Sequence, residues 1–210
     1  MTRSSDGIAA PGGVTALRGT LVSCRDDPFL TDPGKAFAVE HDGVVICRDG
    51  KIEAVGPAGD LLAHVPPAAL ADHTGCLITP GFIDTHVHYV QTGMVASYGK
   101  QLLDWLDRYA FPAELAFADA AHAAAMAKAF CDELLRNGTT TALVFCAVYP
   151  QSVDALFAEA ERHGMRIIAG KVLMDRNAPE ALRDTAQRGY DESKALIARW
   201  HGHGLSLIHI

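Results

Sequence analysis

The second half of the chain alternates between apolar, β-branched segments and amphipathic helical segments, and this alternation constrains the fold more than any other feature. Three apolar segments, beginning near residues 81, 139 and 166, are each followed by a helical pattern. Strand–helix–strand connections of this length join parallel strands in right-handed crossovers. The pattern therefore predicts a parallel α/β sheet, and periodicity alone leaves open whether that sheet is open or closed into a barrel.

Capping residues mark the ends of the predicted helices. Asp119 is predicted to cap the N-terminus of a helix that ends at Asn137–Gly138. Ser152 is predicted to cap the next helix, which ends before Gly164, and a further helix is predicted over "YDESKALIARWHGHG". The apolar segment that comes first, "GFIDTHVH", is predicted to be a strand buried on both faces.

The first 80 residues follow a different pattern. Residues 1–13 are polar and rich in Gly and Pro, and we expect them to be disordered. Residues 14–79 contain short alternating strands, with Asp49-Gly50 as a strong hairpin signal, and predict a small β portion. The α/β region is then expected to run over residues 80–204.

Charge and composition exclude several classes of function. The formal net charge is −7 and no basic block occurs, so nucleic acid is not expected as a partner. No apolar run approaches the ~20 residues of a membrane span, and the first residues do not resemble a signal peptide, so we expect a cytoplasmic protein with no membrane contact. Five scattered cysteines without a C-x-x-C argue against disulfides and thiolate zinc, and are expected to be buried hydrophobic residues.

His86 and His88 end the first apolar segment of the α/β region. Residues i and i+2 of a strand point to the same face, about 6–7 Å apart, so both imidazoles would emerge together at the C-terminal end of the strand. Two such imidazoles can bind one Zn²⁺ or Fe²⁺. The alternative is a pair of core histidines, whose burial without partners would cost several kcal/mol. The setting therefore favours a metal site.

A second His-x-His pair provides an internal control. His201 and His203 follow a polar helix in a glycine-rich stretch, where we expect the rings to face solvent. Near the first pair, Asp84 has two possible roles: it could orient a metal-binding histidine, or it could accept a hydrogen bond from a backbone amide.

Four segments together resemble the guanine deaminases of the amidohydrolase superfamily. They are "PGFIDTHVHYVQ" (80–91), "LLDWLDRYAFPAE" (102–114), "LLRNGTTTALVF" (134–145) and "GKVLMDRNAP" (170–179), in the same order as in that family. The resemblance implies a partial (β/α)8 TIM-type barrel, represented by its first three strands, with part of a small β-sandwich before it.

The resemblance also implies a reaction and a set of site residues. The reaction would be zinc-dependent hydrolytic deamination of guanine to xanthine and ammonia, with one zinc ion per subunit, in a protein that tends to form homodimers. His86 and His88 would be zinc ligands, and Gln91 would contact the purine. Independently of the family, Trp105 offers a flat apolar surface for a base, although an aromatic side chain at helical spacing is more often part of a core.

The chain lacks other parts of the family pattern. The resemblance places two further histidines, an aspartate and the acid/base glutamate on later strands, so the catalytic residue is expected beyond the chain end and the 210 residues alone are expected to be inactive. Residues 205–210 are predicted to be a non-native tail, with a true fourth strand as the alternative. Two other functions stay open: an amidohydrolase acting on cytosine, an adenosine-type substrate or a triazine, and a non-catalytic α/β fragment.

Overall fold

The computed structural model of the chain describes residues 13–99 and 101–208. The segment expected to be disordered, 1–13, therefore lies outside the described residues except for Gly13. The chain divides into two compact units between Pro80 and Gly81. Each unit contains one four-stranded sheet.

The first unit is built on a mixed sheet with the order β3-β2-β1-β4. β1 pairs antiparallel with β2 and parallel with β4, while β2 pairs antiparallel with β3. These residues form a single sheet, so the predicted β-sandwich stays a prediction. The strands and short helices are β1 (Val14–Cys24), α1 (Pro33–Ala36), β2 (Phe37–Arg48), β3 (Lys51–Pro57), α2 (Ala58–Leu61) and β4 (Leu70–Ile78).

The hairpin between β2 and β3 forms where the sequence predicts it. Asp49 and Gly50 connect the strands with φ angles of 49° and 76°. Positive φ at both central residues defines the type I′ turn, whose twist matches that of the two strands. The core of this unit packs small and β-branched side chains against one another, among them Ala16, Val44 and Ile46.

The second unit is a parallel α/β sheet in which neighbouring strands follow one another along the chain. Its order is β5-β6-β7-β8, and every pair is parallel. The predicted parallel α/β sheet is therefore confirmed. Its elements are β5 (Phe82–His88), α3 (Leu102–Trp105), α4 (Phe111–Leu115), α5 (Ala120–Arg136), β6 (Thr139–Phe145), α6 (Pro150–His163), β7 (Arg166–Gly170), α7 (Ala186–Trp200) and β8 (Ser206–Ile208).

Two of the three long helices start at residues other than those predicted. The side chain of Asp119 caps α5 by accepting from the amide of Ala121, as expected. Ser152 does not cap α6, because the helix begins earlier, at Pro150, whose fixed φ suits the first helical position. α7 likewise begins before the predicted segment, with Thr185 as its capping residue, and it ends at Trp200, before the glycine-rich end of that segment.

The predicted burial of β5 is wrong. Phe82 and Ile83 are 61% and 69% exposed. The reason is that β5 lies at an edge of the sheet as described, with β6 as its one hydrogen-bonded neighbour. The expectation for the cysteines is also only partly met: Cys131 and Cys146 are buried, whereas Cys24 and Cys76 are exposed.

The end of the described chain continues the sheet. β8 pairs parallel with β7, placing Ser206 beside Ile167 and Ile208 beside Ala169. This pairing agrees with the alternative of a fourth strand, and the non-native origin of 205–210 stays a prediction. Separately, none of the helices within 13–99 and 101–208 is long and apolar enough to cross a membrane.

Candidate metal and substrate site

His86 and His88 occupy the C-terminal end of β5, and their rings lie side by side. The two ring centroids are 5.3 Å apart. Both rings pack against Phe145 at the end of β6, each with a centroid separation of 4.7 Å. The alternation of side chains along a strand brings the imidazoles to one face, as the sequence predicts. The neighbouring aromatic ring then limits how far they can turn.

Asp84 fixes the backbone that leads to this pair. Its Oδ1 accepts a hydrogen bond from the backbone amide of His86 at 3.0 Å. The register of β5 against β6 is irregular between Asp84 and Val87, so the sheet does not supply an unbroken ladder here. Of the two roles considered for Asp84, the structure therefore shows the hydrogen bond to a backbone amide.

The electrostatic setting keeps His88 in its neutral form. Burial lowers the pKa of His88 below its ordinary value, and the nearby His86 lowers it further. A neutral imidazole keeps a nitrogen lone pair for a metal ion, whereas a protonated one has none to give. Imidazole nitrogens are among the ligands that Zn²⁺ prefers, so the pair has the chemistry that a zinc site needs.

A cavity of about 460 Å³ adjoins the two histidines. All four side chains predicted to bind metal or substrate line it: His86, His88, Gln91 and Trp105. Trp105 is only half-buried, and its indole Nε1 donates to the carbonyl of Ser97 at 3.0 Å. The structure therefore brings together residues that are up to 19 positions apart in the sequence.

Two residues near the site were not singled out from the sequence. Tyr89 follows His88 directly, is fully buried, and donates its hydroxyl to the carbonyl of Ser152. This contact ties the segment after β5 to the start of α6. Glu114 on α4 is a buried carboxyl, and α4 packs against the segment Tyr89–Met94, which carries Gln91. No local pattern indicates either contact, because each depends on segments that are distant in the sequence.

A second group of potential metal ligands lies elsewhere in this unit. Asp132 on α5 and Glu159 and His163 on α6 place one ligand atom each within 4.8 Å of one another. Lys128 already pairs with Asp132, and Arg162 pairs with Glu159 at 2.6 Å. This group contains neither predicted zinc ligand. Across 13–99 and 101–208, no third His, Cys, Asp or Glu gathers with His86 and His88 in a comparable group.

The sequence matches the amidohydrolase family over residues 77–205. It is 46% identical over 199 residues to the guanine deaminase of Escherichia coli, covering 93% of this chain and 45% of that protein. The chain thus spans less than half the length of this relative.

Among solved structures, the chain is also similar to guanine deaminases. The chain superimposes on the guanine deaminase of Bradyrhizobium japonicum with a TM-score of 0.87 and 38% identity, covering 93% of this chain and 42% of that one. It superimposes on the guanine deaminase of C. acetobutylicum, solved with guanine bound in the active site, with a TM-score of 0.78 and 25% identity. That match covers 93% of this chain and 45% of the other.

Proposed function

The chain belongs to the amidohydrolase family, and on this basis we propose that it is part of a zinc-dependent guanine deaminase that hydrolyses guanine to xanthine and ammonia. The observation that carries the proposal is the His86–His88 pair beside a cavity that Gln91 and Trp105 also line. The resemblance of the whole chain to guanine deaminases gives the substrate.

The fold of the larger protein follows from the same argument. We propose that β5, β6 and β7 are the first three strands of a (β/α)8 barrel, because they are parallel and adjacent in chain order, and that β8 occupies the position of the fourth. In such barrels the active site lies at the C-terminal ends of the strands, which is where β5 carries its histidines. The β-sandwich would be completed by segments outside this chain.

In the proposed site each residue has a distinct task. His86 and His88 would hold the zinc ion, which when bound supplies a hydroxide at neutral pH by lowering the pKa of its water to about 7. Gln91 would contact the polar edge of guanine, and Trp105 would cover its flat face. Phe145 would keep the two imidazoles in place and exclude water from one side of them.

The 210 residues alone are proposed to be inactive. Two imidazoles bind zinc much more weakly than a complete set of ligands. The further ligands and the acid/base glutamate are proposed to lie in the part of the protein that this chain does not span. The homodimer and the cytoplasmic location stay predictions.

The test is an ammonia-release assay on a protein of the relatives' full length that contains this chain. With zinc loaded, we expect guanine to be deaminated and cytosine, adenosine and an aminotriazine to react at least ~100-fold more slowly, since donors left unpaired in the site penalise wrong substrates. The 210-residue chain, assayed alongside, should show no turnover. Activity on a pyrimidine but not on guanine would overturn the choice of substrate, and turnover by the short chain would refute the proposed division of the site.

A further inference from the structure

Ala96 has a backbone conformation that alanine rarely adopts. Its φ angle is 63°. It is the third residue of the turn Met94–Ser97, in which the backbone amide of Ser97 donates to the carbonyl of Met94 at 3.0 Å. Val95, the second residue, has a φ of −52° and a ψ of 136°, so the turn fits type II, whose third residue is usually Gly or Asn. The turn is therefore strained at Ala96, where the Cβ of an L-residue crowds the backbone.

This strained turn lies at the cavity that adjoins His86 and His88. All four of its residues line that cavity. Strained backbone persists only where the surrounding structure holds it, and it is concentrated at binding sites and at segments that move. The turn therefore needs a contact that holds it, and a functional explanation is expected.

Trp105 supplies that contact. Its indole Nε1 donates to the carbonyl of Ser97, the last residue of the turn, at 3.0 Å. An indole has one hydrogen-bond donor and no acceptor, so this bond uses its whole polar capacity. In this arrangement Trp105 can offer a ligand in the cavity the surface of its ring but no hydrogen bond.

Gly99 packs directly against the same tryptophan. A Cβ on Gly99 would lie 2.6 Å from the Cβ of Trp105 and 2.9 Å from its Cδ1. Both distances are well below the separation of about 3.5–4.0 Å at which carbon atoms pack. The φ of Gly99 lies outside the left-handed region, so the contact with Trp105, and not the backbone conformation, requires glycine here.

The strain and the hydrogen bond oppose each other. The cost of one left-handed alanine and the net gain from one hydrogen bond are of similar size. A state in which the bond from Trp105 to Ser97 is broken and Ala96 has relaxed therefore lies close in free energy to the arrangement in the structure. The packing of Gly99 on the indole favours the arrangement in the structure.

We propose that the turn Met94–Ser97, Gly99 and Trp105 form a clasp. In its closed state the Trp105 ring is fixed as a flat wall of the cavity, on which a planar heterocyclic base stacks. In its open state Ala96 relaxes and that wall is lost. The turn and Gly99 are positioning residues, because they act through Trp105. The identity of the base rests on the proposed function, whereas the clasp does not depend on it.

The first experiment measures hydrogen exchange of the indole N–H groups by NMR in the 210-residue chain. The chain has two tryptophans, so it gives two indole signals, which Trp200→Phe assigns. Ala96→Gly removes the strain of the closed state and should slow the exchange of the Trp105 indole by about threefold. Ala96→Val places a β-branched residue in the left-handed region and should accelerate that exchange by about fivefold.

The second indole is the control within the same chain. The Nε1 of Trp200 donates to a carboxylate oxygen of Asp154 at 2.7 Å, away from the clasp. Its exchange should be the same in the unaltered chain and in both Ala96 variants. Equal changes at the two indoles would mean that the substitutions alter only the overall stability, and that result would overturn the proposal.

A pair of glycine substitutions tests the packing in the same assay. Gly99→Ala should force the segment away from the indole and accelerate the exchange of Trp105 by at least about fivefold. The matched variant is Gly59→Ala, where an added Cβ meets no atom within 4 Å, and it should leave both indole signals unchanged. A Trp105 exchange rate that responds neither to Gly99→Ala nor to Ala96→Gly would refute the clasp, whatever the enzyme does.

The second experiment uses the full-length enzyme. Ala96→Val should raise KM for guanine roughly two- to fivefold, since only the closed fraction offers the stacking wall, and change kcat by less than about twofold. A purely structural role would instead lower the amount of active enzyme and leave KM unchanged, which would refute the positioning role. If Trp105 exchange responds as expected but the unaltered enzyme does not act on guanine, the proposed function fails while the clasp stands.

Discussion

The chain contains two His-x-His segments that share their spacing and differ in their surroundings. His86 and His88 lie on a strand, and both rings contact Phe145. His201 and His203 follow the end of α7, where both residues are exposed. His86 and His88 also line one cavity together.

The difference comes from the backbone. In a strand, residues i and i+2 share a face, so two rings meet without any special contact. After α7 the chain turns through Gly202 at a φ of 77°, and the two rings find separate partners. The His203 ring packs edge-on against Trp200, and its Nδ1 lies 3.6 Å from a carboxylate oxygen of Glu161. The Nδ1 of His201 instead accepts a hydrogen bond from the backbone amide of Ile208. The same His-x-His spacing thus brings two imidazoles together in the strand and separates them after the helix.

The largest expected effect follows from removing one ring of the first pair, with the second pair as the control. In the full-length enzyme, His86→Ala or His88→Ala should lower the rate of guanine deamination by more than ~100-fold, because even residues that only support metal ligands contribute about 10–100-fold. Zinc content should fall in parallel. The matched variants His201→Ala and His203→Ala should stay within about twofold of the unaltered enzyme in both measurements. An equal loss of activity and zinc content in the variants of the two pairs would mean that the different surroundings of the pairs do not determine which one binds zinc.

A smaller effect is expected from the ring that both imidazoles contact. Phe145→Ala should weaken zinc binding by roughly tenfold, since it frees His86 and His88 to adopt other rotamers, at the low end of the range for groups that orient ligands. Phe145→Leu keeps an apolar side chain beside the two imidazoles and should lose less zinc affinity. Competition with a chelator in the full-length protein measures the difference. If Phe145→Ala binds zinc as tightly as the unaltered protein, the ring does not hold the pair.

The backbone before the first pair gives the next prediction. Asp84→Ala removes the acceptor for the His86 amide and should lower the free energy of unfolding of the 210-residue chain by about 1 kcal/mol. Asp84→Asn keeps an acceptor oxygen in the same place and should lower the free energy of unfolding by less. Urea denaturation separates the two variants. An equal loss in the two variants would mean that the charge, which both remove, matters more than the hydrogen bond.

The last prediction concerns the pH dependence of stability and the buried carboxyl of Glu114, in the unit that carries the first pair. The raised pKa of Glu114 means that the folded state holds its proton more tightly than the unfolded state. Stability from this group is complete below the unfolded value of 4.5 and decreases as pH rises through the folded value. Glu114→Gln should therefore gain stability relative to the unaltered chain between pH 4 and pH 8, as followed by thermal melting. An unchanged melting temperature for Glu114→Gln across this range would contradict the prediction.

Much of the second unit could be predicted because its signals are local. Asp119 caps α5 and Gly164 ends α6 in the left-handed conformation, each through a contact or a φ angle set within a few residues. The pairing of His86 with His88 is equally local, since it needs only a strand. The Asp49-Gly50 hairpin was predictable for the same reason.

What could not be predicted depends on segments that are far apart. The exposure of Phe82 follows from the edge position of β5, which no residue of that strand encodes. Ser152 is suited to capping, yet Pro150 starts the helix earlier, and the Ser152 hydroxyl donates to the carbonyl of Tyr149 instead. The packing of the segment Tyr89–Met94 against α4 likewise joins parts of the chain that are distant in sequence, and it depends on how short helical segments pack.

The central claim is that His86 and His88 act together as one metal-binding pair, and a zinc titration of the 210-residue chain followed by NMR of its imidazole signals tests it most directly. The titration is best run in a His163→Gln background, which removes the group of potential ligands on α5 and α6. We predict that the His86 and His88 signals shift along one binding curve, that His86→Ala abolishes the shift of His88, and that the His201 and His203 signals shift only at higher zinc. Separate curves for His86 and His88, or His201 and His203 signals that shift at lower zinc than the first pair, would contradict the account.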